Sequence, residues 1–283
     1  MSLQAPSALL MIRPAAFGFN AESAETNAFQ NNDDSDRLEV AQLAIAEFDT
    51  MVEVLRDHQI EVMIADDTRT PEKPDALFPN NWISFHADGR VIVYPMQPEN
   101  RRAERRLDII EWIRQRFVIN EVLDESPHEM KGEFLEGTGS LVFDHVNRIT
   151  YACRAPRTNE VLVNRISSML GYKSIVFDAV DEKGVSIYHT NVMLCVGTKF
   201  AVVCLDSIRS EADQDHVLDS FATTGHKVIA ISYEQMRRFA GNMIEVVDKS
   251  GQPYVLMSQT AFESLLPGQL DAISRFAEPL PVK

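Results

Sequence analysis

Apolar positions along this chain switch between two periods, and the switches recur. Residues 8–13 (ALLMIR) form an apolar run of strand length. A polar stretch with Asn27, Gln30, Asn31, Asn32, Asp33 and Asp34 follows, too rich in Asn and Asp for regular structure and suited to an active-site loop. Residues 37–58 carry apolar side chains at 38, 41, 45, 48, 52 and 55, which is helical spacing, and residues 60–65 return to a strand. Residues 82–85 and 91–94 flank Asp88-Gly89 and predict a hairpin, before a helix over 103–117 and a strand over 118–123. The order hairpin, helix, strand then repeats at 137–143 with 149–154, 158–170 and 173–177. It repeats again at 186–196 with 199–206, 210–223 and 227–231. A last hairpin over 242–247 and 254–258 precedes a helix over 260–276.

Each unit opens on a polar motif: Pro79-Asn80-Asn81, Glu136-Gly137-Thr138-Gly139, His189-Thr190-Asn191 and Gly241-Asn242, with residues 8–65 a partial fifth unit. Two strands and a helix per hairpin do not suit a doubly wound sheet, and no Gly-x-Gly-x-x-Gly follows a strand. Repeated α/β units in a ring would gather their opening motifs at the centre, as in a propeller. The expected architecture is one domain over residues 1–283. The ring is one strand short: only residues 277–283 follow the last helix, and the first unit shows one strand before its helix. The expectation is that the natural protein continues with a strand that closes the ring.

The third hairpin carries the densest chemistry. With Gly197-Thr198 as the turn, His189 and Asn191 share a face with Cys204 and Asp206, ingredients of covalent catalysis. The alternative is a half-buried strand whose polar groups are satisfied by neighbours. Cys195 lies about 20 Å along the strand from His189 at ~3.3 Å per residue, too far for proton transfer. Cys153 lies on another hairpin. Cys204 is therefore the best-placed thiol, against the alternative of a small buried hydrophobe.

Composition narrows the class. The net charge of −15 argues against nucleic acid and anionic membrane as partners. No apolar run is long enough to cross a bilayer, and the N-terminus lacks the order of a signal peptide. Three widely spaced cysteines make neither a disulfide framework nor a zinc site. A cytoplasmic protein with reduced thiols is expected. The sequence leaves a homodimer open.

In order along the chain, four motifs resemble those of the guanidino-group-modifying, or pentein, enzymes. Phe78-Pro79-Asn80-Asn81 resembles the family's Phe-x-Arg-Asp, and Leu135-Glu136-Gly137-Thr138-Gly139 its Leu-Asp/Glu-Gly-Gly-Asp. His189-Thr190-Asn191 resembles its His-x-Asp, and Tyr151-Ala152-Cys153-Arg154 with Arg157-Thr158-Asn159 a later segment. The branch most resembled is the bacterial citrulline-utilisation hydrolases, through Met11-Ile12-Arg13-Pro14, the run from Phe78 to Trp82, and His189 to Val192. The resemblance implies a five-bladed α/β propeller with a central site, no cofactor and no metal. It implies a small amino-acid substrate, a Cys nucleophile, His189 as proton carrier and Glu136 as its partner. Asn81 and Asn191 would orient the substrate, and Arg13, Arg154 and Arg157 are candidates for its carboxylate. Where the arginine-binding members have Asp, this chain has Asn81 and Asn191. An amide suits a neutral ureido group better than a guanidinium, so citrulline is the expected substrate; the usual turn-capping role of Asn is the alternative. The family's nucleophile follows a Gly-rich run near the C-terminus, and no such run is present. Arginine deimination, amidino transfer, and a binding protein without chemistry are the competing readings.

Overall fold

The computed structural model describes residues 3–27 and 37–283, and shows five small sheets. Residues 30–34 of the Asn/Asp-rich stretch fall outside the described residues. Strand β1 (Ala8–Arg13) is followed by helices α1 (Ala21–Ala24) and α2 (Arg37–Asp57), and then by β2 (Glu61–Asp66), parallel to β1. The other units share one plan. β3 (Ile83–Phe85) pairs antiparallel with β4 (Arg90–Val93), and after α3 (Leu107–Ile113) strand β5 (Glu121–Asp124) lies parallel to β4. A one-turn helix α4 (Gly137–Ser140) leads into β6 (Val142–Asp144), β7 (Ile149–Cys153), α5 (Glu160–Leu170) and β8 (Lys173–Phe177) with the same pairings. So do β9 (Leu194–Val196), β10 (Phe200–Val203), α6 (Glu211–Thr224) and β11 (Lys227–Ala230). Helix α7 (Tyr233–Arg237) leads to β12 (Ile244–Val247), β13 (Pro253–Ser258), α8 (Gln259–Ser264), α9 (Pro267–Ser274) and β14 (Glu278–Val282), the fifth sheet.

Local sequence sets these boundaries. Helix α5 starts where the Asn159 side chain accepts from the Leu162 N–H, and it ends at Gly171 with φ +73°. Its face of Leu162, Val163, Ile166 and Leu170 packs with Ile92, Tyr94, Leu135 and Ala152. Each such aliphatic side chain contributes roughly 1.5–3 kcal/mol on burial. At the start of the chain, the Gln4 amide donates to Phe143 O and Val196 O and accepts from the His145 N–H, tying the ends of β6 and β9 together.

Four expectations change. The last unit is complete, because residues 278–282 form β14. Pro279 and Pro281 disguise it, and prolines are tolerated at a sheet edge, where one side of the strand has no ladder. The short sheet is the first, with two strands where the others have three. The helix expected over 103–117 is shorter, preceded by a 3-10 segment Asn100–Glu104. That expected over 260–276 breaks in two before Pro267, whose ring cannot sit in a helix interior. In the third hairpin the turn residues are Thr198-Lys199, since the Gly197 N–H bonds Phe200 O and Ala201 pairs with Val196. Gly197 is a packing glycine: a Cβ there would run into the Phe200 ring. Cys204 therefore faces Met193, whose carbonyl accepts its N–H, and not Asn191.

Candidate active site

The opening motifs do converge. Pro79–Asn81 is a single 3-10 turn, α4 packs against it, and Thr190–Val192 is a second 3-10 turn packed on the other side of α4. Glycine makes this approach feasible. Gly137, at φ +41°, lies directly against Asn80 O, where no side chain fits. At Gly139 a Cβ would lie 2.6 Å from Asn81 Nδ2 and 2.7 Å from His189 Nδ1, so those two nitrogens are neighbours across the glycine. Gly241, from the fourth motif, lies against the carbonyl of Val192. His189 precedes its turn in extended conformation, outside the strand, so the strand alternation assumed for His189 and Asn191 does not apply. Thr190 fixes the motif: its Oγ1 donates to Ser140 O at 2.6 Å and accepts from the Cys153 N–H at 2.8 Å.

His189 Nε2 lies 2.8 Å from Glu136 Oε2. A carboxylate can only accept, so Nε2 carries the proton and Nδ1, beside Gly139, is the basic nitrogen. Glu136 is fully buried. Its other oxygen accepts from the Gln97 N–H at 3.0 Å, and Arg157 Nη1 donates to Oε2 at 3.3 Å. Burial alone would raise the Glu136 carboxyl, but the His189 hydrogen bond and the charges of Arg157 and Arg101 outweigh it and hold it at about 2. Burial pushes the His189 imidazole below its ordinary value, only partly countered by Glu136. At neutral pH the pair is a carboxylate and a neutral imidazole, poised to move a proton through Nδ1.

A ring of buried polar groups surrounds this pair. Arg157, 1% exposed, donates from Nε to Thr26 Oγ1 at 2.8 Å and from Nη2 to Ser23 O at 2.6 Å. Its guanidinium lies 5.3 Å from the Tyr188 ring, which sits 4.5 Å from the His189 ring. Arg101 donates from Nε and Nη2 to the two oxygens of Glu104 and from Nη1 to Asn81 Oδ1, and Asp75 Oδ2 lies 3.6 Å from its Nε. Among the described residues, no group of three or more His, Cys, Asp or Glu is placed to hold a metal ion.

The structure thus gathers His189, Glu136, Asn81 and Arg157. Asn191 is half-buried in the turn after His189. Arg13 and Arg154 are placed differently. Arg13 is paired with Asp49, and Arg154 with Glu160 and Asp178, all partly exposed surface ion pairs. Cys204 lies in the apolar core around β9 and β10, its thiol pushed up to about 11 by burial. Cys153 and Cys195 are likewise buried and raised, to about 11 and about 12. Sequence reasoning missed Arg101, Glu104, Asp75, Gln97 and Tyr188. The signal for the first two was an Arg and a Glu three residues apart, inside a stretch read as the start of an ordinary helix.

The family model described as N,N-dimethylarginine dimethylhydrolase, eukaryotic, matches residues 13–283. No curated protein matches the chain. Among solved structures, the substrate-bound N-terminal domain of ArgZ, an arginine dihydrolase from the ornithine-ammonia cycle in cyanobacteria, superposes with a TM-score of 0.73. That match has 15% identity and covers 97% of this chain and 90% of that one. The dimethylargininase (DDAH) from Pseudomonas aeruginosa complexed with citrulline matches with a TM-score of 0.65 at 16% identity, covering 99% and 92%. Unliganded AgrE matches with a TM-score of 0.71 at 17% identity, and this chain spans 36% of it, as it does of apo ArgZ. At these identities the structures speak for the shared α/β fold. The family match extends from Arg13 through the Glu136–His189 pair to Lys283, and the chain belongs to the N,N-dimethylarginine dimethylhydrolase family of the guanidino-modifying enzymes, which are C–N hydrolases.

Proposed function

We propose that this protein hydrolyses the ureido group of citrulline to give ornithine, ammonia and carbon dioxide. The observation that carries this reading is the buried Glu136–His189 pair beside the Asn81 amide. In the reaction a thiolate attacks the ureido carbon. Ammonia leaves, taking a proton from His189, and an S-carbamoyl intermediate remains. His189 then takes a proton from water, which displaces the sulfur, and the released carbamate decomposes to ornithine and carbon dioxide. Glu136 orients His189 and stabilises its charged form. Asn81 and Asn191 orient the ureido group. Arg157 binds the substrate carboxylate, in competition with its contacts to Ser23 and Thr26. We further propose that the five sheets are the blades of one cytoplasmic propeller domain over residues 1–283. A fifth inner strand, antiparallel to β1, would complete its two-stranded sheet and carry the thiol. Cys204 is the alternative thiol.

The test is a panel of citrulline, arginine and N,N-dimethylarginine, followed by ornithine, citrulline and ammonia release. Ornithine from citrulline, abolished by His189→Ala and kept by Cys204→Ala, supports the reading; loss in Cys204→Ala assigns the thiol to Cys204. A second reading, an amino-acid-binding protein, is favoured by the three buried, high-pKa cysteines. It predicts citrulline binding with no turnover.

A further inference from the structure

The orientation of the Asn81 amide is set by a group that does not reach the reaction chamber. Arg101 is buried at 3% exposure and held from several sides. Glu104, equally buried, takes both Nε and Nη2 in a two-pronged pair at 2.8 and 2.9 Å. Asp75 Oδ2 lies 3.6 Å from Nε, and Glu136 Oε2 lies 3.8 Å from Nη1. The remaining donor, Nη1, reaches Asn81 Oδ1 at 2.9 Å. A guanidinium has donors only. The face of Asn81 turned toward Arg101 must therefore be its oxygen, and its NH2 group is left on the opposite side. That side is the chamber: the Cβ position of Gly139 lies 2.6 Å from Asn81 Nδ2 and 2.7 Å from His189 Nδ1.

The chamber therefore presents one donor and one acceptor side by side. Asn81 Nδ2 donates, and His189 Nδ1 accepts because Nε2 is committed to Glu136. A ureido group fits this pair: its carbonyl accepts from Nδ2 and its NH2 donates to Nδ1. A guanidinium has no acceptor, so one of its N–H groups would oppose the Asn81 NH2, and a buried donor left unpaired is costly. We propose that the Arg101–Glu104 clamp is a specificity-determining element, which selects a neutral ureido substrate over a cationic guanidino one by locking the Asn81 amide. This inference rests on the proposed function, whose substrate it explains.

The test is isothermal titration of the 283-residue protein with L-citrulline and with L-arginine, which needs no turnover. Wild type should bind citrulline at least about tenfold more tightly, the factor that one hydrogen bond's ~1.4 kcal/mol gives. Arg101→Gln, which offers both a donor and an acceptor and releases the amide, should move the ratio toward one. Asn81→Asp, nearly isosteric, should reverse it. A merely structural clamp would weaken both ligands alike and leave the ratio unchanged. A wild-type ratio at or below one overturns the proposal, as does an unmoved ratio in a folded Arg101→Gln. If Arg101→Gln does not melt cooperatively, Asn81→Asp decides alone, and an unmoved ratio there refutes it. Binding of neither ligand by wild type refutes the proposed function and this inference together. Citrulline preference without turnover refutes only the hydrolase reading.

Discussion

Adding a single methyl group at Gly139 should dismantle the site while leaving most of the core untouched. In Gly139→Ala the new Cβ would lie 2.6 Å from Asn81 Nδ2, 2.7 Å from His189 Nδ1 and 2.8 Å from His189 Cε1. Ordinary contact needs about 3.5 Å or more, so the imidazole or the amide must retreat by nearly 1 Å. His189 is held at 2.8 Å by Glu136 and Asn81 at 2.9 Å by Arg101, and a shift of that size takes either bond beyond its useful range. A hydrogen bond to a charged group contributes about 1.5–3 kcal/mol, and overpacking costs about 1–3 kcal/mol. These effects overlap, so a total of about 2–4 kcal/mol is expected. At roughly 2–4 °C per kcal/mol for a domain of this size, Tm should fall on the order of 10 °C. Citrulline binding by titration calorimetry should be lost with it. Gly268→Ala is the matched control. It lies in α9 with open space around it, so alanine's better helix propensity should raise stability by roughly 0.5–1 kcal/mol. The reasoning fails if Gly139→Ala melts within 1–2 °C of wild type and still binds citrulline, by the same scale.

Other consequences are as direct. The Glu136 carboxyl sits at about 2, below its unfolded value, so its stabilising contribution is complete above about 4.5 and is lost as pH falls toward 2. Urea midpoints of wild type should fall more steeply than those of Glu136→Gln over that window; parallel slopes would contradict the assignment. The His189 value is depressed too, so stability is full above about 6.5 and declines as pH falls through the folded value. His189→Asn should flatten the stability profile on the acid side of 6.5, and an unchanged profile would mean that His189 is not held neutral. A thiol reagent at neutral pH should modify none of the three cysteines in the native state and all three in denaturant, since their thiols lie at about 11 to 12 behind 0–4% exposure; rapid native labelling of Cys204 would restore it as a nucleophile. Gln4→Ala removes three hydrogen bonds between the N-terminal segment and the ends of β6 and β9, and should lower stability by about 1.5–4 kcal/mol, read from denaturant midpoints.

Wherever local rules govern, the fold was legible. The Asn159 cap, the Gly171 stop and the alternation of hairpins with helices are properties of short windows, and the structure reproduces them. Local rules misled where distant packing changed the meaning of a residue. Gly197 reads as a turn signal, but the Phe200 ring is what demands a glycine there. Pro279 and Pro281 read as the end of regular structure, yet β14 lies at a sheet edge, where prolines are admitted.

The site divides in the same way. Sequence by itself determined the chemical inventory, the repeat that gathers it, and the pairing of Glu136 with His189, because each motif is contiguous. Only the tertiary structure decided which arginines serve the site. Arg13, Arg154 and Arg157 look alike in a string, but two are paired at the surface and one is buried against Glu136. Only the structure showed that Arg101 orients Asn81, twenty positions away, and that all three thiols are shielded. The physical reason is that charge pairing, amide orientation and burial depend on which side chains meet across sheets. That is fixed by packing among residues 20 to 190 positions apart, which no local pattern records.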